Sequence, residues 1–211
     1  MDVLGERWSL LVLRELSLGP RRYGDLADSL PGIGTNLLAA RLRSLEAAGV
    51  LRRIVLPAPA NVPAYELTER GEQLQPVLED LALWGFELLP DRPAEGDAVR
   101  ASWAALTMSA ELRRAQPADL RGTFAFAVGD ERFQVSVDDS GARLCQGVPD
   151  HADVTLTSEP GGFLALATMQ DTPSRAAAGG RVTIDGDPAL MDRLFASFHL
   201  PARPEPAPES A

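Results

Sequence analysis

The chain has 211 residues, 45% of them apolar, which suits two small domains with cores of their own better than one. Its net charge of -10, taken alone, argues against a nucleic-acid partner. Its single cysteine, Cys145, excludes an intramolecular disulfide and points to a reducing, cytoplasmic setting. No apolar run of about 18 residues occurs, so membrane insertion is not expected, and Met1 leads into Asp2, Glu6 and Arg7, unlike a signal peptide.

Residues 1–89 are mainly helical in pattern. Trp8, Leu11, Val12 and Leu16 recur at helical spacing until Gly19-Pro20 ends the helix. Tyr23, Leu26, Ala27 and Leu30 mark a second, shorter helix closed by Pro31-Gly32. A third is expected to start at Thr35 as N-cap, to carry Leu38, Leu42 and Leu45 as its buried stripe, and to stop at Gly49. Two strands follow, over residues 50–55 and 63–67, joined by a turn containing Pro57, Pro59 and Asn61. Thr68 then caps a long helix expected to run to residue 89, with Leu74, Val77, Leu78, Leu81, Trp84 and Leu88 on one face and a kink at Pro76. Three helices and a two-stranded ribbon in this order make a winged helix-turn-helix, whose third helix can enter a major groove.

Charge distribution agrees with that order better than the total does. Residues 20–53 hold six arginines (Arg21, Arg22, Arg41, Arg43, Arg52 and Arg53) against three acids, Asp25, Asp28 and Glu46, so the segment is net positive. At 100° per residue, Asn36, Ala40 and Arg43 lie opposite the leucine stripe. Asn36 suits a bidentate pair with adenine, and Arg43 suits guanine or a phosphate. Thr35 stands at the helix start, where its hydroxyl and free N–H groups can meet a phosphate. Arg41 lies on a flank, with a solvated surface arginine an equal alternative. Arg21, Arg22, Arg52 and Arg53 are expected at phosphates, where they position the protein without reading sequence. Trp8, Tyr23 and Trp84 read as core or dimer contacts.

Residues 2–88 resemble the HxlR-type regulators. The carrying motifs are Asp2-Val3-Leu4-Gly5-Glu6-Arg7-Trp8, Leu13-Arg14-Glu15-Leu16, Gly19-Pro20-Arg21-Arg22-Tyr23 and Leu30-Pro31-Gly32-Ile33, then Arg41-Leu42, Leu45-Glu46, Gly49-Val50 and Tyr65-Glu66-Leu67-Thr68 with Gly71. The resemblance implies a homodimeric, bacterial winged-helix transcription factor that binds double-stranded DNA, often under control of a chemical signal. Family members commonly carry a cysteine ahead of the first motif. This sequence opens at the motif and Cys145 lies elsewhere, so thiol sensing by that route is not expected.

Residues 90–97, with Pro90, Pro93 and Gly96, read as a linker, and residues 202–211, with Pro204, Pro206 and Pro208, as a disordered tail. Between them, residues 98–201 alternate helix and strand. A helix is expected over 99–112. A hairpin pairs Phe124, Phe126 and Val128 with Phe133, Val135 and Val137 around Gly129-Asp130. Strands at 142–146, 153–157 and 181–184 and helices at 161–169 and 188–198 complete it. This half resembles the sterol carrier protein (type 2) superfamily through residues 152–157, Phe163-Leu164-Ala165-Leu166 and the stretch from Gly180 to Pro188. The resemblance implies an α+β domain with a roughly five-stranded sheet and an apolar tunnel for a lipid-like small molecule. Trp103, Phe124, Phe126, Phe133, Phe163, Leu166, Met169 and Phe198 are the candidate lining, with plain core packing the weightier alternative for each.

His151 and His199 are isolated, and no Cys/His/carboxylate spacing suggests a metal. Gly32-Ile33-Gly34 lacks the rest of a dinucleotide fingerprint. Neither an enzyme nor a cofactor is expected. Three readings remain: a DNA-binding regulator controlled by an apolar ligand, a lipid-binding protein that uses its winged helix to dimerise, and a regulator whose second domain only supports the dimer. The net positive segment with a polar recognition face favours the first.

Overall fold

A computed structural model describes residues 4–86 and 100–197. The expected linker, tail, final helical residues up to 89 and Phe198 lie outside the described residues. The fold is α+β and forms two compact units, Met1–Leu78 and Glu79–Ala211.

The first unit contains α1 (Ser9–Leu16), α2 (Tyr23–Ser29), α3 (Thr35–Ala47), β1 (Leu51–Val55), β2 (Pro63–Leu67), α4 (Glu69–Glu72) and the start of α5 (Gln75–Phe86). Val12, Leu13 and Leu16 of α1, Leu26 of α2 and Leu38, Leu42 and Leu45 of α3 close one core with Leu51, Leu67 and Leu78. The strands pair antiparallel from Leu51↔Leu67 to Val55↔Pro63. Arg21 extends the ribbon by exchanging two backbone hydrogen bonds with Tyr65, at 2.9 and 2.8 Å.

Helix α3 passes into the ribbon through Gly49 at φ 69°. The Val50 N–H reaches the Leu45 carbonyl at 3.0 Å and the Gly49 N–H the Glu46 carbonyl at 2.9 Å, which satisfies the last carbonyls of the helix. Thr68 locks the far end of the ribbon onto this junction. Its hydroxyl donates to the Gly49 carbonyl at 2.6 Å and accepts from Gly71 N–H at 3.2 Å, while its own N–H donates to the Val50 carbonyl at 3.0 Å. Gly71 packs so closely there that a Cβ would lie 2.1 Å from the Val50 oxygen.

Two expectations change here. Gly34, not Thr35, is the N-cap of α3, and Thr35 is the first helical residue, so no side chain caps this helix. The long helix after the ribbon is divided at Gln73-Leu74 rather than kinked at Pro76. Proline has no N–H for the carbonyl four residues back and its ring collides with that carbonyl, so Pro76 is accommodated in the first turn of a new helix.

The second unit holds α6 (Ala101–Ala115), β3 (Gly122–Val128), β4 (Glu131–Asp138), β5 (Gly141–Gln146), β6 (Val154–Ser158), α7 (Pro160–Ala167), α8 (Pro173–Ala178), β7 (Val182–Gly186) and α9 (Pro188–Ala196). The sheet order is β5-β4-β3-β6-β7, with β3 and β6 parallel and the other neighbours antiparallel. The expected hairpin forms around Gly129-Asp130, with Phe126 opposite Phe133. Alternate residues of β3 and β4 (Phe124, Phe126, Val128; Phe133, Val135, Val137) are buried on one face, as a sheet covered on one side requires.

Helix α6 is buried on most of its circumference. The Glu131 carboxylate accepts from the Ala101 N–H at 2.8 Å and the Ser102 N–H at 3.2 Å, holding the start of the helix. Near its other end Arg113 pairs with the fully buried Glu79, which also accepts from the Ser109 hydroxyl at 3.3 Å.

Candidate nucleic-acid interface

The three leucines that bury one side of α3 turn the other side outward. Thr35, Asn36, Leu37, Arg43, Ser44 and Ala47 are exposed, and Ala40 is half-buried. This arrangement agrees with the placement of Asn36, Ala40 and Arg43 read from the helical period. Leu37 was not anticipated: it is 39% exposed at the N-terminal end of the helix. Its place beside Leu38 makes it look like core in a linear reading, but it lies about 100° round the helix from the buried stripe.

The N-terminal turn of α3 has its first N–H groups free of a side-chain cap. The Tyr23 hydroxyl donates to the Thr35 carbonyl at 2.8 Å and ties α2 to the start of α3. Tyr23 therefore helps fix the start of α3, a role beyond core packing.

The arginines separate by environment. Arg43 and Arg22 are exposed, and no ion pair is found for either side chain among the described residues. Arg52 is 65% exposed and its Nε donates to Glu66 Oε1 at 2.7 Å. Arg53 is 58% exposed, lies 3.4 Å from Glu46 Oε2, and stands over the Tyr65 ring at 5.5 Å. Exposed pairs of this kind are worth about 0–1 kcal/mol and exchange readily.

Arg41 is held at 3.3 Å by Glu6 and is mostly covered; its buried Nε has no hydrogen-bond partner among the described residues. Arg21 departs from expectation. Its side chain is 9% exposed, its Nη2 lies 3.6 Å from Glu15 Oε2, and its Nε donates to the Glu15 carbonyl at 3.5 Å. A guanidinium turned inward onto a carboxylate is not available to a phosphate.

In the second unit Phe124, Phe126, Phe133, Phe163 and Leu166 are all buried. Phe126 and Phe133 stack at 4.9 Å, Phe163 meets both edge-on at 5.8 and 5.7 Å, and Phe195 closes the group at 6.3 Å from Phe163. Rings at these separations fill space for one another. Trp103 is half-buried, with the Arg100 guanidinium 5.9 Å above its ring. Met169 is 56% exposed and at φ 54°, so it lies on the surface instead of lining an enclosed site. Cys145 is half-buried, and burial pushes its thiol pKa up while Arg143 pulls the other way. No described helix is long and apolar enough to cross a membrane.

Residues 3–92 match the model of the HxlR-like helix-turn-helix family, and residues 104–198 match that of the SCP-2 sterol transfer family. The HTH-type transcriptional regulator sll1512 of Synechocystis sp. is 44% identical over 95 residues, which cover 45% of this chain and 70% of the relative. The HTH-type regulator Mb3122 of Mycobacterium bovis is 41% identical over 100 residues, 47% of this chain and 61% of that protein's length. The reduced form of the transcriptional regulator YodB from B. subtilis is 33% identical, with 44% of this chain and 90% of that one covered and a TM-score of 0.37. On its 44% identity to the Synechocystis regulator, 70% of which it covers, and the family match over residues 3–92, this chain belongs to the HxlR-like helix-turn-helix family of transcriptional regulators.

Proposed function

We propose that this regulator reads double-stranded DNA through the outward face of α3, as a homodimer whose affinity is set by an apolar ligand in the second unit. The observation that carries the DNA reading is that face itself. It combines an uncapped helix start with exposed Asn36 and Arg43, neither of which has a side-chain partner among the described residues. Asn36 reads adenine, Arg43 reads guanine or grips a phosphate, and Ala40 leaves room for close approach. Thr35, Arg22, Arg52 and Arg53 hold the backbone, the last two by exchanging Glu66 and Glu46 for phosphates. Arg41 is a flanking support, and Arg21 is left out.

Dimerisation rests on α5. Leu74 and Leu78 belong to the core of the first unit. Val77, Leu81 and Trp84, at i, i+4 and i+7, are 59%, 45% and 61% exposed. A second copy of the same helix covers such a stripe and sets the two α3 helices about 34 Å apart, one turn of DNA. Ligand control is supported by the SCP-2 match; the ligand acts only by binding one arrangement of the dimer better than the other.

The test is selection of bound fragments from bacterial genomic DNA, followed by affinity measurements on the recovered operator and on a random duplex. Arg52→Ala weakens both alike and lowers the salt dependence by about one charge. Asn36→Ala relaxes preference at one base pair by roughly 1–3 kcal/mol; equal losses on both duplexes would remove it from the base-reading set. Added lipid extract shifts operator affinity of the full chain if the second unit is a sensor, and leaves it unchanged if that unit only supports the dimer.

A further inference from the structure

The outward face of α3 carries, beside its polar groups, an exposed leucine. Leu37 is 39% exposed, while the leucines of the same helix at 38, 42 and 45 are at most 1% exposed. Helical geometry sets Leu37 about 60° from Ala40 and about 20° from Ser44, on the opposite flank of the face from Arg43. The face thus grades from a cationic edge at Arg43, through Asn36 and Ala40, to an apolar edge at Leu37. Docking of a helix-turn-helix brings the N-terminal residues of this helix to the base edges, and Thr35, Asn36 and Leu37 are its first three residues.

Along the floor of the major groove the largest apolar group is the 5-methyl of thymine; cytosine offers only a small C5–H at the same place, and the other distinguishing features are hydrogen-bond donors or acceptors. An apolar side chain pressed against any other base edge strips water from polar atoms and returns nothing to them. We infer that Leu37, flanked by Ala40, is a specificity-determining residue that selects thymine by burying its 5-methyl group. The Asn36 amide, adjacent in sequence, takes adenine. The half-site facing the start of α3 is therefore rich in A·T pairs, with the thymine methyl rather than a hydrogen bond deciding at least one position. This inference rests on the DNA reading proposed above and extends it to a residue that makes no polar contact.

The test separates the methyl from everything else on the base. The full-length protein is first used to select its preferred duplex from a random 30-base-pair library, and each thymine of that duplex is then replaced singly by deoxyuridine, which keeps pairing and loses the methyl. At one or two thymines the parent protein should lose about four-fold in affinity, the effect of one buried methyl. Leu37→Ala should bind the thymine duplex as weakly as the parent binds the uridine one, and should no longer tell them apart. Leu37→Met, of similar volume, should keep the discrimination. Leu37 is exposed and alanine favours helix, so unchanged thermal melting is expected for both variants. A parent indifferent to uridine at every position, or a Leu37→Ala protein that discriminates as the parent does, overturns the inference while leaving the DNA reading intact. Recovery of no preferred duplex overturns both.

Discussion

Arg21→Met is the substitution that separates architecture from DNA contact. The parent guanidinium sits against Glu15, whose side chain has no exposure, and Arg14 holds the same carboxylate from the other side, at 2.9 and 3.2 Å from Oε1. Methionine keeps most of the apolar stem and removes one of the two cations. Stripping a partner from a buried ion pair costs roughly 3–5 kcal/mol, and because Arg14 stays, a loss of about 3 kcal/mol is expected. For a unit of this size each kcal/mol lowers the melting temperature by about 4–8 °C, so a fall of about 12 °C or more follows. Circular dichroism melts of the parent, Arg21→Met and the double variant Arg21→Met/Glu15→Leu read it directly. The double variant should recover part of the loss, since the uncompensated carboxylate is gone. Operator affinity against salt, measured well below the melt, should keep its slope in Arg21→Met and lose about one charge in Arg22→Ala. An Arg21→Met protein that melts like its parent and has a shallower salt slope would refute the burial argument and return Arg21 to the phosphates.

Gly71→Ala places a methyl 2.1 Å from the Val50 oxygen and 3.2 Å from the Leu67 Cβ, so backbone must move, and a loss of about 1–3 kcal/mol in urea unfolding is expected; an unchanged midpoint would show that the junction is slack. Trp84→Ala should raise the dimer dissociation constant by roughly 30-fold in sedimentation equilibrium, the effect of losing an aromatic anchor worth about 2 kcal/mol, and a parent protein that is monomeric at micromolar concentration counts against the whole stripe. For Cys145, a thiol pKa raised by burial leaves less thiolate at neutral pH than a free cysteine has. Iodoacetamide labelling should thus be slower than that of a free thiol at pH 7.5 and should climb only at higher pH; rapid labelling at pH 7 would argue for a reactive sensor instead.

Much of the winged unit was legible because its signals are local and periodic. Leu38, Leu42 and Leu45 announce one side of α3, Gly49 its end, and Pro57 to Asn61 the turn of the ribbon. The misreadings share a cause: they depend on what lies across a loop. Thr35 looks like a cap by residue type, yet Gly34 has the extended conformation and Thr35 has already entered the helix. Arg21 sits in a basic pair and reads as a phosphate ligand until the turn brings it back onto Glu15 of α1. In the second unit the β3–β4 hairpin was readable from alternation, whereas α8 was not. Its six residues, Pro173–Ala178, carry no apolar period and are started by the Thr172 hydroxyl, which accepts from the Arg175 N–H at 3.4 Å. Whether an apolar side chain fills a core or lines a cavity depends on its neighbours in space, which separates Phe133 from Met169 although both suited the same inventory.

The junction of Gly49, Val50, Thr68 and Gly71 has a consequence for how the ribbon can change length. All of its ties lie at the base, where they fix the exit of α3, whereas the tip is closed by the Leu56 N–H on the Val62 carbonyl at 2.9 Å and the Asn61 N–H on the Pro57 carbonyl at 3.3 Å. Inserted residues between 57 and 62, in the turn outside the paired strands, are therefore absorbed at the tip without disturbing α3 or the pairing of residues 63–67 with 51–55. Each residue added to both strands lengthens the wing by about 3.4 Å. Under the DNA reading proposed above, the ribbon is thus a part whose reach along the duplex can be adjusted independently of the bases that α3 meets.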